Sequence, residues 1–290
     1  MTRAMSAVAD VTAFLLLVGA AAGAIAGGVG IEKPGATTNP AAAQASTLAT
    51  STASVEYDLA VPAAEGHKPP DVATRRRRTS HGTVAELLGE AAMSGVTVDG
   101  ERLSSAGTDF ESRVAATTRE RLHGRGHRTA VRVTWSPYPG APVTGEYRVG
   151  DRPPETVDVR AAAVTVPSGM ENVSESAREA ARTSGYDGVA TVVARSVLDG
   201  LFPPAQSRYA LRGGYPSDVL MRARYERMAE LTGTTVAVER QSTSELNRRL
   251  TVALAARLRT DMRSRYDSPE DAARAVRTSR VRVTVRTWSP

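Results

Sequence analysis

The sequence contains no cysteine at any of its 290 positions. This absence excludes disulfide bonds, thiolate metal sites, cysteine nucleophiles and lipid attachment to a cysteine side chain. It leaves the compartment open, because a chain without cysteine tolerates an oxidising exterior as well as a reducing cytosol. Aromatic residues are also scarce, at 4% of the chain. We therefore expect valine, alanine and leucine to build the hydrophobic core.

Lysine is nearly absent, since all but Lys33 and Lys68 of the 37 basic residues are arginine. The net charge of +6 would suit contact with nucleic acid or an acidic surface. However, 31 Asp and Glu residues are interspersed along the chain, which favours a solvated surface of mixed charge. Proteins that bind single strands also alternate aromatic and basic residues on a sheet face, whereas Arg282, Thr284 and Arg286 share a face without an aromatic residue. We expect no nucleic-acid partner.

Charge is missing altogether from Val11 to Ile31, a run of 21 residues. At about 1.5 Å per residue, a helix of this length matches the ~30 Å hydrocarbon thickness of a bilayer. We therefore predict that residues 1–31 contain a leader and a transmembrane helix, which makes membrane lipid a partner. Arg3, which precedes the run, favours a cytoplasmic N-terminus and places the C-terminal domain outside the cell.

The processing of this segment has three possible outcomes. Ala22-Gly23-Ala24 fits the small-residue pattern of an ordinary cleaved signal peptide, and the residues also permit an uncleaved anchor. The stretch from Arg3 to Asp10, followed by the apolar run, resembles the processing region of archaeal type IV prepilins. That resemblance implies cleavage before Ser6, with the helix retained. Asp10 would then be the fifth mature residue and would pair with the N-terminal amine of a neighbouring subunit, because a carboxylate at the edge of an apolar bundle needs a cationic partner.

Residues 32–79 have the composition of a linker. Pro34 to Ala53 is nearly all Ala, Thr, Ser, Gly, Pro, Asn and Gln, and such a stretch buries too little apolar surface to offset the entropy lost on ordering. We predict a disordered linker, interrupted by one short strand at residues 55–59. The run from Arg75 to Arg78 is interpreted as solvated linker. A protease-sensitive site and a polyanion contact are the alternatives, so its role stays open.

Residues 80–290 alternate helical and strand periodicity, which predicts an extracytoplasmic α+β domain. Capping boxes mark three helix starts, at Thr83/Glu86, Thr108/Glu111 and Ser242/Glu245. Further helices are predicted over residues 189–201, 221–231 and from Ser268. Apolar and polar residues alternate in strands at 131–135, 147–149, 157–166 and 281–285, which predicts a mixed or antiparallel sheet with one wet face.

Two of these strands resemble each other. Val131–Pro137 and Val281–Pro290 both begin Val-Arg-Val-Thr and both contain Trp-Ser-Pro. Two helix-then-strand units would pair in one sheet, with Trp135 and Trp288 as core or cap residues. Chance similarity in a chain rich in Val, Arg and Thr is the alternative.

No catalytic motif emerges from the chain. It lacks a phosphate loop ending in Lys-Ser/Thr, a His-Glu-x-x-His metal motif and a Gly-x-Ser-x-Gly nucleophile motif. His123 and His127 have the spacing of a helical metal pair, but the two glycines between them predict a turn. We therefore assign no catalytic residue, no metal site, no cofactor and no identifiable small-molecule substrate. Asn172 begins a glycosylation sequon, Asn-Val-Ser, and is a possible modification site.

The leader, the apolar helix, the Thr/Ala-rich linker and the closing Val-Arg-Thr-Trp-Ser-Pro strand together resemble uncharacterised archaeal pilin-like membrane proteins encoded near type IV pilus or secretion genes. The resemblance implies a non-catalytic, membrane-anchored cell-surface protein that acts as a subunit or accessory of a pilus-like assembly. Other pilin-like or secretion-system membrane proteins would be its partners. A surface protein with one membrane span that does not assemble into filaments, or an exported hydrolase with a dispersed site, is the alternative.

Overall fold

The computed structural model describes residues 39–61, 77–122 and 126–289. The predicted transmembrane segment and its processing residues Arg3, Ser6 and Asp10 lie outside these ranges. Within them, no helix combines the length and the apolar character that crossing a bilayer requires. The folded unit begins at Asn39, well before the predicted boundary at residue 80.

Helices and strands are interspersed along the folded unit. In chain order they are α1 (Pro40–Thr50), β1 (Thr52–Asp58), β2 (Arg77–Thr83), α2 (Val84–Ser94), β3 (Thr97–Val98), β4 (Glu101–Arg102), α3 (Thr108–Leu122), β5 (Arg128–Trp135), β6 (Val143–Val149), β7 (Arg160–Pro167), α4 (Ser174–Leu201), α5 (Pro204–Arg212), α6 (Ser217–Thr232), α7 (Thr243–Arg265), α8 (Pro269–Arg274) and β8 (Arg280–Trp288).

The main sheet has six strands in the order β4-β3-β6-β5-β8-β7, and every neighbouring pair is antiparallel. A second, two-stranded antiparallel sheet joins β1 to β2. The predicted α+β class with an antiparallel sheet is therefore confirmed. The two similar strands, β5 and β8, are neighbours, with Val131 opposite Val285 and Val133 opposite Val283.

The core lies between the sheet and helices α1 and α2. Val133, Val281, Val283 and Val285 are fully buried on the covered face, so valine builds the sheet side of the core as expected. Helix α2 approaches β6 closely at Gly145, where an added Cβ would lie 2.7 Å from the carbonyl oxygen of Ala92.

Helix α1 corrects the linker prediction. Residues 40–50 form a helix that is capped by Asn39, whose side chain accepts a hydrogen bond from the backbone N–H of Ala41. Ala41, Ala45 and Leu48 are buried against the body of the domain, and α1 contacts β7 and β8. The linker prediction is therefore wrong for residues 39–54 and 77–79, while the short strand predicted at 55–59 is confirmed for residues 55–58, within β1. Composition misled because alanines spaced four residues apart form an apolar face despite their small size.

Helix α4, which is kinked at Gly185 (φ 58°), packs against α7. The C-cap residue of α7, Tyr266, reaches the β5–β6 turn, where its ring lies 6.1 Å from that of Tyr138. The predicted capping box at Thr83 is confirmed. At Ser242 the N-cap half is present, since its side chain accepts from the backbone N–H of Glu245, whereas the Glu245 carboxylate accepts from the side chain of Gln241 instead. The predicted capping box at Thr108 is wrong, because Thr108 is already the first residue of α3 and its hydroxyl donates back to the carbonyl of Ser105.

Candidate functional site

The face of the six-stranded sheet opposite α1 and α2 carries polar and charged side chains. Near its middle, the carboxylate of Glu146 accepts hydrogen bonds from Arg132 at 2.9 Å and from Arg148 at 3.3 Å. Burial alone would raise the pKa of Glu146, but the two guanidinium groups outweigh it and hold that pKa below its ordinary value. Two positive charges thus share one negative charge, and this part of the face stays cationic at neutral pH.

At one end of this face lies a cleft of about 500 Å³, which we name the arginine cleft. Arg277, Arg280 and Arg282 line it, and they come from the α8–β8 connection and the start of β8. Hydroxyl groups from four parts of the chain complete the lining, from Thr134, Ser136, Thr165, Ser174 and Ser279. Asn172 lines the cleft as well.

The arginine cleft contains no carboxylate among its lining residues. Arg277, Arg280 and Arg282 are exposed, and none of them forms an ion pair with another residue in the part of the chain that the structure describes. By contrast, the neighbouring Arg274 is paired with Asp271 on the same helix. The cleft therefore concentrates three uncompensated positive charges.

The backbone beneath the cleft is held by hydrogen bonds from the ends of β5 and β7 and the residues that follow them. The carbonyl oxygen of Thr278, which is fully buried, accepts from the indole N–H of Trp135 and from the hydroxyl of Ser168, each at 2.8 Å. The backbone N–H of Arg277 donates to the carbonyl of Pro137 at 2.7 Å. These contacts fix the Cα positions from which the arginine side chains extend, so less order has to be gained when a ligand binds.

A family of unknown function, DUF7284, matches residues 9–288. The chain belongs to this family. No curated protein and no solved structure matches it. The DUF7284 match covers Val11 to Ile31 as well as the folded unit, so the apolar segment and the arginine cleft are parts of one family unit.

Of the residues assigned from sequence, Asn172 is the one that the structure describes. It is exposed, and its side-chain oxygen accepts from the backbone N–H of Ser174 at 3.2 Å and from the hydroxyl of the same residue at 2.8 Å. The carboxamide nitrogen is the atom to which a glycan would be attached, and the structure shows no hydrogen bond from it to the described residues. Glycosylation of Asn172 stays a prediction, and a glycan there would stand beside the arginine cleft.

The histidines and the part of the arginine run that the structure describes do not line the cleft. His81 is on β2 and His127 precedes β5, and both are exposed, while His123 falls outside the described residues. In the described ranges there is no group of three His, Asp or Glu side chains that could hold a metal ion. Arg77 and Arg78, the described part of the run, lie in strand β2 rather than in free linker.

Sequence reasoning missed the cleft although it noted Arg282 and Arg286 on one strand face. The available signal was the spacing of Arg277, Arg280 and Arg282, three arginines around a strand start without an acidic residue between them. The arginines lie near Ser174 and Thr134 only because distant strands pair in the sheet. The spacing of the arginines in the sequence does not reveal that pairing.

Proposed function

We propose that this DUF7284 protein is a membrane-anchored cell-surface protein that acts, without catalysis, as a pilin-like subunit or accessory of a type IV pilus-like assembly. The observation that carries the proposal is the uncharged run from Val11 to Ile31, which follows a short basic leader. Arg3 orients this run with its N-terminal end in the cytoplasm.

The family match includes this apolar segment. It begins at residue 9 and continues to residue 288, so it covers the whole apolar run together with the folded unit. An ordinary signal peptide is removed from the mature protein, whereas a pilin-type helix remains and takes part in assembly. The mature N-terminus therefore distinguishes these two outcomes.

Assembly would depend on Ser6 and Asp10. After cleavage before Ser6, its new amine would carry a positive charge, and Asp10 would supply the opposite charge in an apolar bundle. Without a cationic partner, a charged carboxylate in an apolar bundle of helices costs free energy. We expect Asp10→Asn to be inserted in the membrane normally but to lose assembly, because the amide keeps the shape of the side chain without its charge.

The mature N-terminus of the membrane-fraction protein, determined by mass spectrometry, tests the proposal. A start at Ser6 with the apolar run retained is the expected result, and electron microscopy of filaments sheared from cells would then compare wild type with Asp10→Asn. Asp151→Asn, an exposed change in the folded unit, is the matched control. A start at Met1 or Thr2 would contradict the pilin assignment and leave an anchored surface protein. A start near Gly27, with the protein in the medium, would contradict the anchor itself.

A further inference from the structure

We propose that the arginine cleft binds a phosphate group, either free or as part of a phosphate ester or lipid headgroup. The three guanidinium groups of Arg277, Arg280 and Arg282 line one cleft that contains no carboxylate. Planar guanidinium groups donate paired hydrogen bonds that match the oxygens of phosphate. A phosphate bound there would compensate charges that the described part of the protein leaves uncompensated.

Hydroxyl groups extend the donor set beyond the arginines. Ser136 and Thr134 approach from the end of β5, and Ser279 from the chain just before β8. A neutral hydroxyl donates to an anionic oxygen without adding charge, so these groups favour a tetrahedral anion with several oxygens over a planar carboxylate. The end of β5 and the α8–β8 connection thereby both supply hydroxyl donors to the cleft.

The volume of the cleft limits the size of the ligand that it can bind. At about 500 Å³ it lies in the range of sites for small molecules, ~300–1,000 Å³. One phosphate group fills only part of this space, so there is room for the glycerol or sugar to which a phosphate is esterified. A nucleic-acid strand would need a longer charged groove lined with aromatic platforms, which the cleft residues do not provide.

Trp135 gives the site its own optical reporter. Its indole N–H donates to the carbonyl of Thr278, between Arg277 and Ser279 of the cleft. The chain has two tryptophans, and the other, Trp288, lies opposite Arg128 at the other end of β5. Phosphate binding should therefore change the tryptophan fluorescence of the protein, and Trp135→Phe should abolish that change while Trp288→Phe keeps it.

The test is calorimetric titration of the full chain in a non-ionic detergent with inorganic phosphate at constant ionic strength. We expect saturable binding that a triple variant, Arg277→Gln with Arg280→Gln and Arg282→Gln, weakens by about tenfold or more. The matched control replaces three exposed arginines outside the cleft and removes the same charge, by Arg208→Gln, Arg240→Gln and Arg248→Gln. This control should bind phosphate as the wild type does.

A second probe distinguishes the source of the phosphate. The probe is short-chain phosphatidic acid. If it binds about tenfold more tightly than inorganic phosphate, through the same three arginines, the ligand is a lipid headgroup. If the two probes bind with similar affinity, the ligand is a free phosphate or a soluble ester. Absence of saturable binding by both probes, or the same loss in the cleft and control variants, would overturn the proposal. If the triple variant is unstable in a thermal melt, the single variant Arg280→Gln replaces it. This change is at an exposed position and should weaken phosphate binding by a smaller factor.

Discussion

The indole N–H of Trp135 donates a 2.8 Å hydrogen bond to the backbone carbonyl of Thr278, which lies just before the strand that pairs with Trp135's own strand. Trp135 is 2% exposed, so the bond is formed away from water. It ties the end of β5 to the chain between Arg277 and Arg280. The stability of the sheet and the shape of the arginine cleft therefore depend on the same contact.

Replacing Trp135 by Phe removes this donor and part of a buried ring. We expect Trp135→Phe to lower the free energy of unfolding by about 2–4 kcal/mol, because the Thr278 carbonyl loses a partner and a cavity remains. Trp288→Phe is the control, since Trp288 is also buried but its indole forms no hydrogen bond with the residues that the structure describes. Denaturation followed by circular dichroism measures both variants, and equal losses would contradict a special role for the hydrogen bond.

Leu48 tests whether helix α1 belongs to the domain. Its side chain is fully buried, and its truncation to Ala should cost about 2–5 kcal/mol of unfolding free energy, as in other well-packed cores. A disordered linker would give no change. Val252→Ala, at a side chain 67% exposed on α7, should stay within about 0.5 kcal/mol of wild type and serves as the control.

The sequence predicts those elements whose signals are local. The capping box of Thr83 and Glu86, the cap at Ser242 and the valine alternation of β5 and β8 each lie within a few residues, and the structure contains all of them. The antiparallel sheet also follows, since alternation with one wet face favours that arrangement.

Helix α1 and the arginine cleft show why the rest could not be predicted. The burial of Leu48 depends on strands more than a hundred residues further along the chain, which convert a weak alanine pattern into a packed helix. The cleft gathers Thr134, Ser174 and Arg282 from three separate elements. Local sequence patterns contain no information on contacts between residues far apart in the chain, because the strand order of the sheet decides those contacts.

Tyr147 makes the stability of the domain sensitive to alkali. Burial is the main cause that raises the pKa of Tyr147 to about 12, and the nearby carboxylate of Glu111 raises it further. A folded pKa above the unfolded value of 10.0 stabilises the protein below pH 10.0, and this contribution is lost as the pH rises towards about 12. Stability should therefore fall through this alkaline range.

The phenylalanine variant isolates the contribution of this group. Because Tyr147→Phe cannot ionise, its unfolding free energy should fall less steeply than that of wild type between about pH 9 and about pH 11. Tyr209→Phe, at a side chain 83% exposed, should keep the wild-type slope. Parallel slopes for wild type and Tyr147→Phe in denaturant titrations would contradict the assignment.

Asn247 links two helices and the loop between α4 and α5 through a buried hydrogen-bond chain. The hydroxyl of Tyr225 donates to its side-chain oxygen, and its side-chain nitrogen donates to the carbonyl of Phe202, each at 2.8 Å. Asn247 is 5% exposed and Tyr225 is fully buried, so water cannot replace either contact without opening the helical layer.

Asn247→Ala should therefore cost about 2–4 kcal/mol of unfolding free energy, because two polar groups lose their partners in a dry environment. Tyr225→Phe should cost less, since it removes a donor and leaves the Phe202 contact intact. The double variant should lose less unfolding free energy than the sum of the two single-variant losses, because each single variant already loses the Tyr225–Asn247 bond. Arg248→Ala, at the exposed neighbouring position, is the control. Strict additivity in chemical denaturation would mean that the two side chains do not interact.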